Sequence, residues 1–294
     1  MELNKIYNED CIDGMKNIES GSIDAICIDP PYKYLKHKLE SDYSEIEFIR
    51  EAKRVLKKDS LLCTFGRGAS FYRLCNLLSE EGFEFKEEVI WKKQKSSSPV
   101  TPISRIHETI AIFGLGKGKV LRSKAPYLQI KKYRIDRIVN DVKRIKSGLN
   151  NTKELDALIA FLETNSFEYT QDKKQELCGT GVTGSSAKIK GQYRSINTLS
   201  AIINGHNEQS IIEEQIDHYN FSHPTQKPVP LLERLIKLIS KEGDVILDCF
   251  VGSGTTFLSA LNTKRNFIGF ELDKEYYDLA TKRIEQHKNI LRLF

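Results

Sequence analysis

Ile23, Ala25, Ile26, Cys27 and Ile28 form a nearly continuous apolar run that stops at Asp29. That pattern fits a buried parallel strand delivering a polar turn at its carboxyl end. Upstream, Leu3, Ile6 and Tyr7 suggest a short strand ending in the polar turn Asn8, Glu9, Asp10, after which Ile12, Met15 and Ile18 take up helical spacing. Downstream, Ile46, Phe48, Ile49, Ala52, Val55 and Leu56 mark a helix, and Ser60 to Phe65 a buried strand closed by Gly66 and Gly68. Phe71, Leu74, Leu77 and Leu78 repeat the helical period up to Gly82. Strands alternating with helices of this length predict a mostly parallel sheet with helices on both faces. Phe83 to Trp91 and Glu108 to Phe113 read as two more strands joined by the Ser- and Pro-rich loop Lys95 to Ser104, which is short on helix. These two are expected to pair antiparallel at the sheet edge.

The last third repeats the arrangement with a different turn. After the rigid segment His223-Pro224-Thr225-Gln226-Lys227-Pro228, an amphipathic helix carries Leu231, Leu232, Leu235, Ile236 and Ile239. Val245, Ile246 and Leu247 then run into Asp248-Cys249-Phe250-Val251-Gly252-Ser253-Gly254-Thr255-Thr256, and a helix resumes with Phe257, Leu258 and Leu261. A strand, a glycine turn and a helix amino terminus make a place where backbone approaches a ligand closely. Phe257 stands where the dinucleotide fingerprint has its third glycine, so this is a different turn. The strand Asn266 to Phe270 ends in Glu271, an acceptor where such folds bind ribose hydroxyls. At the first turn, Pro30 and Pro31 fix two φ angles and remove two donors, so Asp29 and Tyr32 are presented at a set separation.

Composition adds a contrast in the middle of the chain. The 294 residues carry a formal net charge of +5. Between Lys117 and Lys146, eleven basic residues face only Asp136 and Asp141, an excess larger than that of the whole chain. Ile135, Ile138, Val142 and Ile145 give this stretch an apolar stripe at helical spacing. It reads as a solvated helix face, a membrane-surface helix or a phosphate-contacting surface. A second helix near Thr152 carries Leu155, Leu158, Ile159 and Leu162, and Cys178 to Tyr193 reads as a loop, either a substrate-ordered clamp or a linker. The six cysteines are scattered with no Cys-x-x-Cys pair and read as reduced core thiols. The polar amino terminus and the lack of any bilayer-length apolar run predict a soluble, cytoplasmic protein.

Asp29-Pro30-Pro31-Tyr32 followed much later by Phe250-x-Gly252-x-Gly254 resembles the S-adenosylmethionine-dependent DNA amino-methyltransferases, in the permuted β-group order with the catalytic motif first. The resemblance covers roughly residues 3–113 and 223–288. It implies a doubly wound, mostly parallel Rossmann-like sheet of about seven strands, split into a catalytic half (1–113) and a cofactor half (223–294) by an inserted target recognition region (114–222). In that family the Phe-x-Gly-x-Gly turn, here with Asp248 before it and Thr255 after it, wraps the methionine part of the cofactor, and Glu271 matches the ribose-binding acid. Asp10 and Cys11 match the turn at the adenine, while Thr225, Gln226 and Lys227 match the segment closing over the amino acid end. The resemblance implies double-stranded DNA as partner and admits a homodimer and a cognate restriction endonuclease.

The chemistry suits these residue types. Asp29 and the Pro30 carbonyl can accept both hydrogens of an exocyclic amine, which stabilises positive charge on the nitrogen as it attacks a sulfonium methyl. Tyr32 offers a face for a flipped base. No nucleophile or metal is required. Asp-Pro-Pro-Tyr tilts the target toward adenine-N6, with cytosine-N4, an RNA or protein substrate, or a catalytically weak DNA-binding subunit of the same fold as alternatives. Lys131, Lys132, Arg134 and Arg137, in the basic stretch, are the expected DNA-phosphate contacts.

Overall fold

The apolar runs become strands and the helical stripes helices, in the order β1 (Lys5–Tyr7), α1 (Cys11–Lys16), β2 (Ile23–Ile28), α2 (Glu45–Val55), β3 (Leu56–Gly66), α3 (Gly68–Glu80), β4 (Glu84–Lys92), β5 (His107–Gly114), β6 (Lys124–Ala125), α4 (Tyr127–Lys131), α5 (Ile135–Gly148), α6 (Lys153–Thr164), β7 (His206–Asn207), β8 (Ile211–Glu213), α7 (Val229–Ile239), β9 (Val245–Asp248), α8 (Thr255–Asn262), β10 (Asn266–Phe270) and α9 (Lys274–Leu291). The computed structural model describes residues 1–31, 43–93, 103–104, 106–148, 153–164, 198, 201–202, 205–215 and 226–291. Two compact units emerge, Met1–Ser123 with Gln209–Phe294, and Lys124–Glu208.

Local chemistry sets the helix ends. The Ser44 hydroxyl accepts from the Glu47 N–H at 3.3 Å, Glu45 and Glu47 occupy the first turn of α2, and Lys53 and Arg54 the last. A capped amino end with acids there and bases at the other end complements the helix dipole. Phe48, Ile49, Ala52 and Val55 are buried as expected, while Ile46 stays exposed.

The first unit holds an eight-stranded sheet in the order β1-β10-β9-β2-β3-β5-β4-β8. Neighbours pair parallel except that β5 runs antiparallel to both β3 and β4. The doubly wound fold is therefore as expected, with one strand beyond the expected seven. That extra strand, β8, pairs with β4 through Ile90 and Ile211, Trp91 and Ile212, and Lys92 and Glu213, so β5 and β4 do not form the edge.

Helices cover both faces. Ala25 and Cys27 of β2 pack toward Leu231, Leu235 and Phe257, whereas Ile23, Ile26 and Ile28 pack toward Phe48, Ile49 and Leu74. A register irregularity between Ile23 and Ala25 lets Ile23 and Ile26 share a face despite their odd spacing. Each fully buried Leu or Ile contributes about 1.5–3 kcal/mol. At Gly269 a Cβ would lie 2.1 Å from the Phe257 ring, so glycine lets α8 sit directly on β10.

The unit boundaries fall inside the expected insertion of 114–222. Leu115 donates to the Ser60 carbonyl at 2.9 Å and Leu121 to that of Leu238 at 2.7 Å, which ties 115–121 to the first unit, as β8 ties 211–213. In the second unit Val139, Val142 and Ile159 pack with Ile138, Leu155 and Leu162. Two expected stripe positions are corrected here: Ile135, the first residue of α5, and Leu158 are exposed, and Val139 is buried instead. Cys11, Cys27, Cys63 and Cys249 are free and buried, Cys75 is free and partly buried, and Cys178 and the loop through Tyr193 lie outside the described residues. Among the described residues no helix is long and apolar enough to cross a membrane.

Candidate active site

β1, β2, β9 and β10 are parallel, so their carboxyl ends open on one edge of the sheet, the edge at which open α/β sheets bind ligands. A cavity of about 490 Å³ lies there, within the range of small-molecule sites, about 300–1,000 Å³. Asp10 and Cys11 line it after β1, Asp29, Pro30 and Pro31 after β2, Asp248, Phe250, Gly252 and Thr255 around the end of β9, and Glu271 after β10, with Lys227 beside them. The structure thus brings together most of the expected residues. Gln226 and Gly254 do not line the cavity, while Tyr32, His223, Pro224 and Thr225 lie outside the described residues.

Glu271 holds the glycine turn. Its Oε2 accepts from the Gly252 N–H at 2.7 Å and its Oε1 from the Asp273 N–H at 2.9 Å. Each carboxylate oxygen keeps a further lone pair for a ligand donor. Burial pushes the Glu271 carboxyl above its ordinary pKa, and these backbone donors oppose the push. Gly252 has φ +52° and Gly254 +77°, left-handed values that glycine adopts without strain. Arg283 braces the turn from behind, donating to the Ser253 carbonyl at 2.9 Å and to the Thr255 hydroxyl at 3.0 Å.

The neighbouring carboxylates act locally. Asp248 accepts from the Phe250 N–H at 2.9 Å, and burial pushes its carboxyl up to about 7. Asp10 caps α1 through Ile12 and Asp13, at 2.8 and 3.2 Å. Phe250 lies 5.0 Å from the Tyr43 ring and 5.8 Å from that of Phe48. A carboxylate with lone pairs to spare, bare turn backbone and aromatic carbon in one cavity fit a nucleoside-bearing cofactor such as S-adenosylmethionine.

Asp29 and Lys227 join a charge set with Glu108 and Lys93, two residues that sequence reasoning missed. The Lys227 ammonium is hydrogen-bonded to Asp29 Oδ2, lies 3.5 Å from Glu108 Oε2 and sits 5.1 Å from the centre of the Phe65 ring. Glu108 Oε1 is held by Lys93, whose ammonium lies 4.8 Å from the Trp91 ring centre. Burial works against the Lys227 charge, but Asp29 and Glu108 outweigh it and raise its pKa. Burial likewise opposes the Glu108 charge, yet Lys227 and Lys93 hold that carboxyl below the usual glutamate value. Lys93 and Glu108 carry no signal in the sequence beyond being charges at the ends of strands.

In the second unit the expected phosphate contacts separate. Lys131 pairs with the buried Asp141 at 2.6 Å, and Asp141 also accepts from the Tyr127 hydroxyl at 2.8 Å. Arg134 binds Asp136 through two hydrogen bonds of 2.9 and 3.1 Å, while Lys132 and Arg137 are exposed. Lys131 is therefore part of the packing of its unit, because a buried aspartate needs a cation.

Comparison with known proteins agrees with this geometry. The profile of a family described as DNA methylase, N6_N4_Mtase, matches residues 23–282. Type II methyltransferase M1.MboII of Moraxella bovis is 28% identical over 297 residues, covering 97% of this chain and 98% of that protein. The crystal structure of the M1.HpyAVI–SAM complex shares the fold with a TM-score of 0.56 at 20% identity, over 95% of this chain and 98% of that one. The PvuII DNA methyltransferase, described as cytosine-N4-specific, does so with a TM-score of 0.58 at 16% identity, over 99% and 92%.

Proposed function

The chain belongs to this N6/N4 DNA methylase family, and from that premise we propose that it transfers a methyl group from S-adenosylmethionine to the N6 amino group of adenine in double-stranded DNA. The observation that carries the reading is the presence of Asp29 in the same cavity as Glu271 and the glycine turn. An amine acceptor thus sits beside a nucleoside site.

S-adenosylmethionine supplies an electrophilic methyl group on a sulfonium. The residues of this chain do the rest. Glu271 binds the ribose diol, and the turn at Gly252 lets backbone approach the methionine part. Asp10 and Cys11 flank the adenine end, and Lys227 lies toward the other. Adenine's exocyclic nitrogen is a poor nucleophile because its lone pair is delocalised into the ring. Asp29 and the Pro30 carbonyl accept its two hydrogens, which favours tetrahedral nitrogen and stabilises the developing positive charge. Tyr32 supplies the stacking face for the flipped base, worth about 1–3 kcal/mol, against the few kcal/mol that flipping costs.

Aspartate before Pro-Pro-Tyr favours adenine over cytosine-N4 as target. Mass spectrometry of digested DNA from cells expressing the chain tests the choice: N6-methyladenine is expected, and N4-methylcytosine in its absence would reject adenine while leaving the family chemistry intact.

The inserted unit is the target-recognition part of this reading, and Lys132 and Arg137 are its candidate phosphate contacts, supported by their exposure. Replacing both with alanine is expected to weaken DNA binding across all sequences. It should also lower the slope of log affinity against log salt by about 0.9 for each phosphate no longer neutralised. An unchanged slope would place the DNA track elsewhere, on the segment around 92–105. Lys131 and Arg134 are left intact in this test, because their partners are already Asp141 and Asp136.

A further inference from the structure

Asp29, Lys227, Glu108 and Lys93 form a buried set of two carboxylates and two ammoniums whose charges cancel. The proposed chemistry uses only Asp29, and in this structure Asp29 Oδ2 is bonded to Lys227. That creates a conflict. A target amine needs the same acceptor, and an ammonium left there would oppose the positive charge that develops on the attacking nitrogen. Lys227 cannot escape into water, because its side chain is only 9% exposed. Its alternative is Glu108. Oε1 of that carboxylate is fixed by Lys93, whereas Oε2 is buried and, among the described residues, meets only the Lys227 ammonium, at 3.5 Å, a long ion-pair contact at the limit of a hydrogen bond. That long contact leaves Lys227 room to shorten it into a full charge-assisted hydrogen bond.

We propose that Glu108 is a positioning residue that receives the Lys227 ammonium when the target amine takes its place on Asp29. The inference rests on the assignment of Asp29 as the amine acceptor. In the free protein Lys227 holds Asp29 in place and neutralises it. On arrival of the base, Lys227 closes the gap to Glu108 Oε2, so the ammonium stays paired, and Asp29 is released to accept from the amine and to meet the positive charge that develops on it. Lys93 keeps the receiving carboxylate aimed throughout.

The test is single-turnover methylation at saturating S-adenosylmethionine and DNA by the full-length wild type, Glu108→Gln, Lys227→Met and the double variant, with both ligand affinities measured separately. Glu108→Gln is expected to lose at least about tenfold in rate with both affinities within about twofold of wild type. In the Lys227→Met background, the same substitution is expected to change the rate by less than about twofold, because no ammonium remains to be received. Equal losses in both backgrounds would assign Glu108 a merely structural role and overturn the proposal. So would a Glu108→Gln rate within about twofold of wild type, or a loss accounted for by weaker cofactor or DNA binding. If Glu108→Gln alone does not fold, Glu108→Asp takes its place, since it keeps the charges balanced while withdrawing the carboxylate from Lys227. At least about a tenfold loss is then expected in the wild-type background and less than about twofold beside Lys227→Met, and a rate within about twofold of wild type would overturn the proposal. A wild-type protein that methylates no DNA would fail the underlying reading, and the inference with it. A wild type that needs Asp29 but is indifferent to Glu108 would fail the inference alone.

Discussion

Asp29→Asn is expected to lower the methyl-transfer rate by about 100- to 1,000-fold while leaving S-adenosylmethionine affinity near that of wild type. Loss of one preorganised group aimed at developing transition-state charge costs about 2.7–4 kcal/mol, and in the proposed reaction that group is the carboxylate that meets the nitrogen as it becomes positive. Asparagine keeps the shape of the side chain but carries no charge and turns a donor toward an amine that itself donates. Alanine makes a harsher variant. Both variants take the carboxylate from Lys227, and breaking a buried ion pair costs about 3–5 kcal/mol, but alanine also removes the amide oxygen that could still accept from the ammonium. Part of the effect of Asp29→Ala would then be lost stability. Single-turnover kinetics together with thermal melts separate the two, and an Asp29→Asn rate within about tenfold of wild type would remove Asp29 from the chemistry.

The second large effect is expected on cofactor binding. Glu271→Ala deletes the proposed ribose acceptor and also leaves the Gly252 and Asp273 N–H groups without the carboxylate that accepts from them at 2.7 and 2.9 Å. Hydrogen bonds to a charged group are worth about 1.5–3 kcal/mol each, so a loss of at least about 100-fold in S-adenosylmethionine affinity is expected, at about tenfold per 1.4 kcal/mol. Glu271→Gln offers little rescue, since its amide must aim a donor at one of two backbone donors. Gly252→Val attacks the same turn by another route, because a β-branched residue at φ +52° is strained. Calorimetric titration decides both, and wild-type affinity in both variants would remove the basis for placing the cofactor here.

The cavity residues at the strand ends were legible in the sequence for a physical reason. A parallel strand buried on both faces must be apolar to its end, so Asp29, Asp248 and Glu271 stand out where apolar runs stop. The catalytic side was only half legible. Glu108 and Lys93 look like ordinary charges at strand ends. Their burial arises from the pairing of β4 with β5 and from Lys227, which comes from a distant part of the chain. The strand β8 was missed because it has three residues, of which only Ile212 is buried. The basic stretch shows the opposite failure. Its charge excess is plain in the sequence, but composition does not say which cations have partners, and Lys131 is committed to Asp141, ten residues along the chain.

Label transfer tests the central claim most directly. Wild-type protein, S-adenosylmethionine labelled in its methyl group and unmethylated duplex DNA are incubated together, and the DNA is digested to nucleosides. The label is expected in an exocyclic-amine methylated base, N6-methyladenine, and is expected to be strongly reduced with Asp29→Asn. Label confined to the unreacted cofactor, or recovered on a ring carbon as 5-methylcytosine, would contradict the account.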